Sequence, residues 1–182
     1  VNLIYFAVNL VVLIIFRDFL RQRFFGHGFW SFVQALILGF VLYYAATAGV
    51  QWVLGKLADS YTIYNNETVG DLVLENRYAM MFVTIILAPV IEESLIRGLV
   101  FGSLHRTSHW LAYAVSCFIF VFMHNWQYFA IYPAGSVLIS CIPYIPAAIA
   151  LGWVYEKAGT IWAPITLHAI INAMSFGLLT LS

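Results

Sequence analysis

The segment Ala88-Pro-Val-Ile-Glu-Glu-Ser-Leu-Ile-Arg-Gly98 lies inside a long apolar run that extends from Tyr78 to about Leu104. Three of its side chains, Glu92, Glu93 and Arg97, are charged. A charge at bilayer depth costs at least ~2.5–3.5 kcal/mol on insertion scales, so such residues face an interior cavity and mark functional sites. The segment therefore predicts a membrane helix that carries a functional site.

Helical geometry separates Glu92 from the other two charged residues. Glu93 and Arg97 are four residues apart, so they lie on one face of a helix, where they can pair. Glu92 is rotated by about 100° from Glu93 and points elsewhere. Pro89 cannot donate a backbone N–H to the carbonyl of Ile85, so it should kink the helix and free an acceptor. We expect a kinked membrane helix with one paired carboxylate and one that is free for chemistry.

The composition indicates the class of protein. Of the 182 residues, 63% are hydrophobic and 9% are charged, whereas about 25% are charged in an average soluble domain. The formal net charge is zero, which gives no basis for nucleic-acid binding. Cys117 and Cys141 lie in apolar runs without metal-ligand spacing, and we interpret them as small core residues. The sequence predicts an all-α, polytopic membrane helix bundle that forms a single membrane domain, 1–182.

Apolar stretches of about 20 residues can cross a bilayer, and the chain contains six stretches that we interpret as spans. The predicted spans are residues 1–16, 29–54, 78–104, 110–131, 136–155 and 161–181. The first stretch lacks a basic n-region and a small-residue cleavage site, so it is interpreted as a span and not as a signal peptide.

Basic residues in short loops predict the orientation of the bundle. The loops after the first, third and fifth spans contain Arg17, Arg21, Arg23, Arg106 and Lys157, and the loops on the other side contain Lys56 and Arg77. Five basic residues against two predict that the loops after the first, third and fifth spans lie in the cytoplasm. Glu92 is then expected in the cytoplasmic half of its span.

Few strongly polar residues remain in the other spans. His124 lies in one span, and His168 and Asn172 lie four positions apart, on one helix face, in another. A histidine inside a membrane span is by default a site candidate, although polar contacts between helices are the simpler interpretation of each one. Polar groups on three different spans together favour a shared site.

These residue types suit hydrolysis. A carboxylate and a histidine that converge on one water form a general base, and a histidine with an asparagine can donate hydrogen bonds to a developing oxyanion. Together they fit the non-covalent hydrolysis of an acyl or peptide bond, and no serine or cysteine nucleophile with an obvious base stands out. A zinc site formed by Glu92, His124 and His168 is the alternative, although the chain has no His-Glu-x-x-His element.

Three patterns, each on its own span, follow one another in this chain: Glu92-Glu93-x-x-x-Arg97, Phe120-x-x-x-His124 and His168-x-x-x-Asn172. They resemble the motifs of the CAAX protease and bacteriocin-processing family (CPBP, also called Abi), which includes intramembrane glutamic endopeptidases similar to the Ras converting enzyme. The resemblance covers about residues 78–182, and it implies that these last four spans form the catalytic core. Residues 1–77, with two spans and a polar loop, have no signature of the family.

The resemblance implies a catalytic role for four of these residues. Glu92 would be the base that activates the attacking water, and His124 would help to hold or activate that water. His168 and Asn172 would form the oxyanion hole. The implied activity is that of an intramembrane glutamic endopeptidase that hydrolyses a peptide bond near the cytoplasmic membrane face.

Glu93 and Arg97 complete the first motif. We expect Arg97 to pair with Glu93 and to orient it, in a supporting role. No cofactor or metal is expected. The substrate would be a peptide or protein at the lipid bilayer, and a prenylated C-terminal peptide, a bacteriocin or pheromone precursor and a membrane-protein tail all remain open.

A non-catalytic role is the main alternative to an enzyme. The chain could act as a membrane immunity protein or as a scaffold for a signalling protein, and variants with altered motifs would then complement a deletion as well as the wild type. A transporter is less favoured, because the chain lacks repeats and paired broken helices in matching halves. The expected location is the bacterial cytoplasmic membrane, with the chain as a multi-pass protein.

Overall fold

The computed structural model describes residues 11–21, 24–57 and 61–181, with the backbone alone for the last four of these. All regular structure in these ranges is helical, and no strand occurs in them. The main helices are α1 (Arg17–Leu20), α2 (Phe29–Leu57), α3 (Tyr64–Glu75), α4 (Arg77–His105), α5 (His109–Asn125), α6 (Ala134–Ala158) and α7 (Trp162–Leu181).

In the described part of the chain, three helices are long and apolar enough to cross a membrane. They are α2 and α4, with 29 residues each, and α6, with 25 residues. Large apolar side chains on α2 point outward, and Trp30 is 72% exposed and Ile37 58% exposed. Such surfaces suit lipid, in which a helix also satisfies its own backbone hydrogen bonds. The prediction of an all-α, polytopic helix bundle is confirmed.

The structure treats the other three predicted spans in different ways. The span predicted at 110–131 is divided, because α5 ends at Asn125 and a 3-10 helix, Trp126–Ala130, follows it. The span predicted at 161–181 corresponds to the 20 residues of α7. The span predicted at 1–16 falls largely outside the described residues. The count of six spans therefore stays a prediction.

The polar stretch before α4 contains a helix, α3, where the sequence indicated a loop. Asn76 follows α3 and caps the start of α4, since its side-chain oxygen accepts a backbone N–H of the first turn at 3.1 Å. The ring of Tyr64 stacks on Tyr132 with 4.0 Å between centroids, and Tyr128 donates a hydrogen bond to Thr68 at 2.8 Å. These contacts hold α3 against the segment that follows α5.

Pro143 and Pro146 change the winding of α6 without ending it. A 3-10 turn, Ile142–Tyr144, interrupts the α-helix, and the helix then continues to Ala158. Each proline lies in the first turn of the segment that it begins, where a missing backbone N–H is tolerated. Gly159 adopts a left-handed conformation with φ of +63° after the last residue and terminates the helix.

The core of the bundle forms around α6. Gly39 of α2 lies so close to α6 that a Cβ atom at this position would collide with the side chain of Val154, so the absence of a side chain allows the helices to approach. Leu151 of α6 and Leu167 of α7 are fully buried in the same core. Around this core, α4 contacts both α5 and α7, and these three helices enclose a polar centre.

Candidate functional site

The helix that carries the charged segment changes its winding twice. Residues Val83–Leu87 and Ser94–Phe101 of α4 are π-helical, and the α-helical residues Ala88–Glu93 lie between them. Short π-helical segments inside α-helices are rare and are frequent at functional sites. Both carboxylates of the candidate site lie in the α-helical segment between the two π segments.

Pro89 leaves one carbonyl of α4 without a donor from its own helix. In the first π segment, the backbone N–H of Ala88 donates to the carbonyl of Val83, five residues earlier. The next donor in this winding would be Pro89, and its acceptor would be the carbonyl of Thr84. The side-chain amide of Asn172 on α7 donates to that carbonyl at 2.8 Å. The freed acceptor is therefore the carbonyl of Thr84, one residue before Ile85, which α-helical spacing predicts.

Glu93 and Arg97 form the predicted ion pair. Nη1 of Arg97 lies 2.9 Å from Oε1 of Glu93, and both side chains are fully buried. Nη2 of Arg97 donates to the carbonyl of Ala148 on α6 at 2.9 Å, and the guanidinium carbon lies 5.0 Å from the ring centroid of Phe120 on α5. The pair thus connects α4 with α5 and α6 in the interior, where a charge is tolerated only with partners of this kind.

His168 of α7 extends this pair into a hydrogen-bonded chain. Its Nδ1 lies 2.9 Å from the same Oε1 of Glu93 that Arg97 contacts. A carboxylate in an ion pair only accepts hydrogen bonds, so Nδ1 of His168 carries the hydrogen and donates. The other ring nitrogen, Nε2, lies 3.9 Å from Oε2 of Glu92. Glu93 therefore sets the orientation of His168 toward Glu92.

His124 approaches Glu92 from α5. Its Nδ1 donates to the carbonyl of Phe120 at 2.7 Å, which leaves Nε2 at 3.6 Å from Oε2 of Glu92. The ring of Tyr144 lies 4.8 Å from the imidazole, centroid to centroid, and its hydroxyl donates to Asn66 at 3.3 Å. Sequence reasoning missed Tyr144, because its place beside His124 depends on how α6 packs against α5.

Three hydrogen-bond acceptors converge at Glu92. Its Oε2 atom is buried and has no hydrogen-bond partner in the described part of the chain. Nε2 of His124 and Nε2 of His168 face this oxygen, and each is an acceptor while its ring carries the hydrogen on Nδ1 alone. None of the three can donate to another in this state. The distances from Oε2 of Glu92 to the two ring nitrogens exceed 3.5 Å. A water molecule between these atoms would donate the hydrogen bonds that they cannot donate to one another. The side chain of Glu92 keeps 18% of its surface exposed, although its Oε2 atom is buried.

The structure brings the sequence candidates together on facing helices. Glu93 pairs with Arg97, and Glu92 faces His124. The two ring nitrogens of His168 face one carboxylate each. Asn172 lies one turn beyond His168 and contacts α4 through a backbone carbonyl. The shared face predicted for this residue and His168 is confirmed, and the roles of all six residues in catalysis stay predictions.

The three residues of the zinc alternative do not form a compact metal site. Two ligand atoms bound to a tetrahedral zinc ion lie about 3.3–3.4 Å apart, given metal–ligand bonds of about 2.0–2.1 Å. Among residues 11–21, 24–57 and 61–181, the group of histidines, cysteines and acids whose ligand atoms all lie within 4.8 Å of one another is His105, His109 and Glu156. Glu92, His124 and His168 do not meet that criterion, so their geometry gives the zinc alternative no support.

Comparisons with known proteins show which chains this one is similar to. Residues 74–174, more than half of the chain, match the family model described as "Type II CAAX prenyl endopeptidase Rce1-like". One similar curated protein is UPF0177 protein YaiF of Lactococcus lactis subsp. lactis (strain IL1403), which is 30% identical over 118 residues, or 64% of this chain and 49% of the relative. The chain thus spans about half the length of that relative. No solved structure matches the chain significantly.

The match includes every residue of the site described above, from Glu92 on α4 to Asn172 on α7. Together with the helices that are long and apolar enough to cross a bilayer, it establishes a multi-pass membrane protein. The chain belongs to the Rce1-like family of type II CAAX prenyl endopeptidases.

Proposed function

We propose that this chain is an intramembrane endopeptidase of the CAAX-protease type, in which Glu92 activates a water molecule for attack on a peptide bond. The observation that carries the proposal is the group of acceptors at Glu92. Its Oε2 atom faces Nε2 of His124 at 3.6 Å and Nε2 of His168 at 3.9 Å, and none of the described residues donates a hydrogen bond to it. A water molecule there would donate to two of these acceptors and keep a lone pair for a carbonyl carbon.

Hydrolysis then follows from the ordinary steps of general acid–base catalysis. Glu92 removes a proton from water while the oxygen attacks the carbonyl carbon, which gives a tetrahedral intermediate with a negatively charged oxygen. The C–N bond breaks as the intermediate collapses, and the departing nitrogen takes the proton from Glu92. His124 holds the water through Nε2, because its Nδ1 hydrogen is already used by the carbonyl of Phe120.

His168 and Asn172 stabilise the negative oxygen in this proposal. His168 can donate from Nε2 to this oxygen when both of its ring nitrogens carry a hydrogen, while Nδ1 keeps its hydrogen bond to Glu93 at 2.9 Å. Asn172 has two amide hydrogens, of which Thr84 uses one. Arg97 balances the charge of Glu93, so that Glu93 serves as a positioning group.

The catalytic core in this proposal is residues 78–182, within one membrane domain that includes 1–77. Every side chain with a chemical role belongs to α4, α5 or α7, and α6 contributes the carbonyl of Ala148 and the ring of Tyr144. The substrate class is a peptide or a protein tail at the bilayer. We propose a prenylated C-terminal peptide as the first to test, because the matched family is described by that activity.

The proposal is tested by cleavage assays on the purified full chain. The panel contains prenylated C-terminal peptides, the same peptides without the lipid, and bacteriocin and pheromone precursors. Glu92→Gln is compared with the wild type, and Glu75→Gln on the exposed end of α3 serves as the matched control. We expect Glu92→Gln to lose turnover by about 10²–10⁴-fold, the contribution of a general base, and Glu75→Gln to cleave like the wild type.

Other outcomes separate the remaining interpretations. Near-normal cleavage by Glu92→Gln would overturn the mechanism. Loss of activity after chelation, with recovery when zinc is added, would support the zinc alternative if Glu92→Gln also lost the metal. A wild type that cleaves no peptide in the panel, with motif variants that complement a deletion strain fully, would support an immunity or scaffold role.

A further inference from the structure

A group of side chains that can bind a metal lies at the C-terminal end of α4. His105 is the last residue of α4, His109 is the first residue of α5, and Glu156 lies in the last turn of α6. On α4, His105 follows Glu92 by 13 residues, or about 20 Å at 1.5 Å per residue. The group is therefore separate from the site at Glu92, and the proposed function does not use it.

We propose that His105, His109 and Glu156 bind a divalent transition-metal ion of the zinc type. Nε2 of His105 lies 3.2 Å from Nδ1 of His109. Oε2 of Glu156 lies 4.0 Å from the first nitrogen and 3.8 Å from the second. Ligand atoms around a tetrahedral zinc ion lie about 3.3–3.4 Å apart, so the two distances to Oε2 would have to shorten by about 0.4–0.7 Å to complete the geometry.

Neighbouring groups orient all three ligands. The ring of His105 stacks on buried Phe101 at 5.2 Å with an interplanar angle of 19°, and the ring of His109 lies 4.9 Å from Tyr113. The hydroxyl of Tyr113 donates to Oε2 of Glu156 at 3.0 Å. Outer contacts of this kind fix the orientation of metal ligands and raise affinity.

The donor set selects the class of ion. Two imidazole nitrogens and one carboxylate oxygen are a common three-ligand set for zinc and leave one coordination position open. Each ring can coordinate through the nitrogen that faces the other ring when it carries its hydrogen on the opposite nitrogen. His105 and Glu156 also line a cavity of about 470 Å³, which gives the open position access to water. The ion would join α4, α5 and α6 at one end of the bundle.

The test is a titration of the purified full chain with Co²⁺, which reports tetrahedral coordination through visible absorption bands. The affinity tag must contain no histidine. We expect one Co²⁺ per chain, displacement by Zn²⁺, and a higher unfolding temperature with metal. His109→Gln and Glu156→Gln should lose the bands, and Tyr113→Phe should weaken binding by about 10–100-fold. Because these side chains are partly exposed, the glutamine variants should fold, and their unfolding without metal verifies that.

Two matched controls locate the ion. His27→Gln removes an exposed histidine outside the group, and Glu92→Gln removes the carboxylate of the other site. Both should bind Co²⁺ like the wild type. Absence of saturable Co²⁺ binding by the wild type, unchanged binding by His109→Gln and Glu156→Gln, or loss of binding in Glu92→Gln would each overturn the proposal. None of these readouts depends on cleavage, so the metal site and the proposed function fail or succeed separately.

Discussion

The side-chain amide of Asn172 on α7 gives the carbonyl of Thr84 on α4 the hydrogen bond that Pro89 cannot give. The donor and acceptor are 2.8 Å apart, and the bond fixes α7 against α4 one turn from His168. Since the amide nitrogen carries two hydrogens, one can hold Thr84 while the other remains available to a substrate oxygen. The hydrogen bond to Thr84 makes Asn172 a positioning residue, and our proposal also makes it a donor to the oxyanion. Experiments can separate these two roles.

An alanine at position 89 should remove the need for Asn172 in folding. Asn172→Ala leaves the carbonyl of Thr84 without a partner and should cost about 1–3 kcal/mol of unfolding free energy. In a Pro89→Ala background the backbone supplies the missing N–H, so the same change should cost clearly less. The measurement is chemical unfolding of the four proteins in detergent.

Turnover gives the second readout of this cycle. If Asn172 also contacts the oxyanion, the double variant should regain stability and still cleave poorly. An equal loss of stability from Asn172→Ala in both backgrounds would show that the contact with Thr84 does not depend on Pro89.

The buried ion pair should be most costly when only one partner is removed. Glu93→Gln leaves Arg97 as an unbalanced charge among apolar side chains, and we expect a loss of about 3–5 kcal/mol in unfolding free energy. Adding Arg97→Met should recover part of that loss, because it removes the charge and keeps much of the volume. Unfolding curves of the single and double variants test this, with Glu75→Gln as the exposed control. A double variant that loses the full sum of both single losses would contradict it.

The two nitrogens of His168 can be tested one at a time. In His168→Asn the amide nitrogen can take the place of Nδ1 and keep the bond to Glu93, so stability should stay within about 1 kcal/mol of the wild type. Turnover should be lost, because nothing replaces Nε2 opposite Glu92. In His168→Gln the amide nitrogen can instead take the place of Nε2, so the bond to Glu93 is lost. The unfolding free energy should then fall by about 1–3 kcal/mol.

The measurements for His168 are unfolding free energy and kcat on the same preparations. Wild-type turnover by His168→Asn would exclude a chemical role for Nε2 and leave the residue with a structural role alone.

A methyl group should be tolerated at Gly49 and not at Gly39, although both glycines lie on α2. A Cβ at position 39 meets Val154, whereas a Cβ at position 49 has no heavy atom within 4 Å. Gly39→Ala should therefore cost about 1–3 kcal/mol through overpacking, and Gly49→Ala should be neutral or stabilising by up to about 1 kcal/mol. Thermal unfolding measures both. Adding Val154→Ala to Gly39→Ala should restore stability, and no restoration would argue against this helix contact.

The sequence by itself determined the class of the protein and predicted which residues form its polar centre. Twenty-residue apolar stretches allow a membrane helix and little else, and charges within them are costly enough to require a functional reason. The four-residue spacing of Glu93 and Arg97 predicted their pair, because helical periodicity holds before any packing is known. The site residues that the family resemblance singled out all lie within residues 74–174, the region that matches the family model.

Only the tertiary structure decided which atoms face one another. The spacing of His168 and Asn172 predicted a shared face, but their partners, Glu93 and Thr84, depend on where α7 packs against α4. The π winding of α4 moved the freed carbonyl by one residue, which α-helical spacing cannot indicate. Tyr144 reached His124, and Glu156 reached His105 and His109, through contacts between distant parts of the chain. Local sequence fixes helical faces because hydrogen bonds within a helix are short-range, whereas the site depends on the packing of several helices at once.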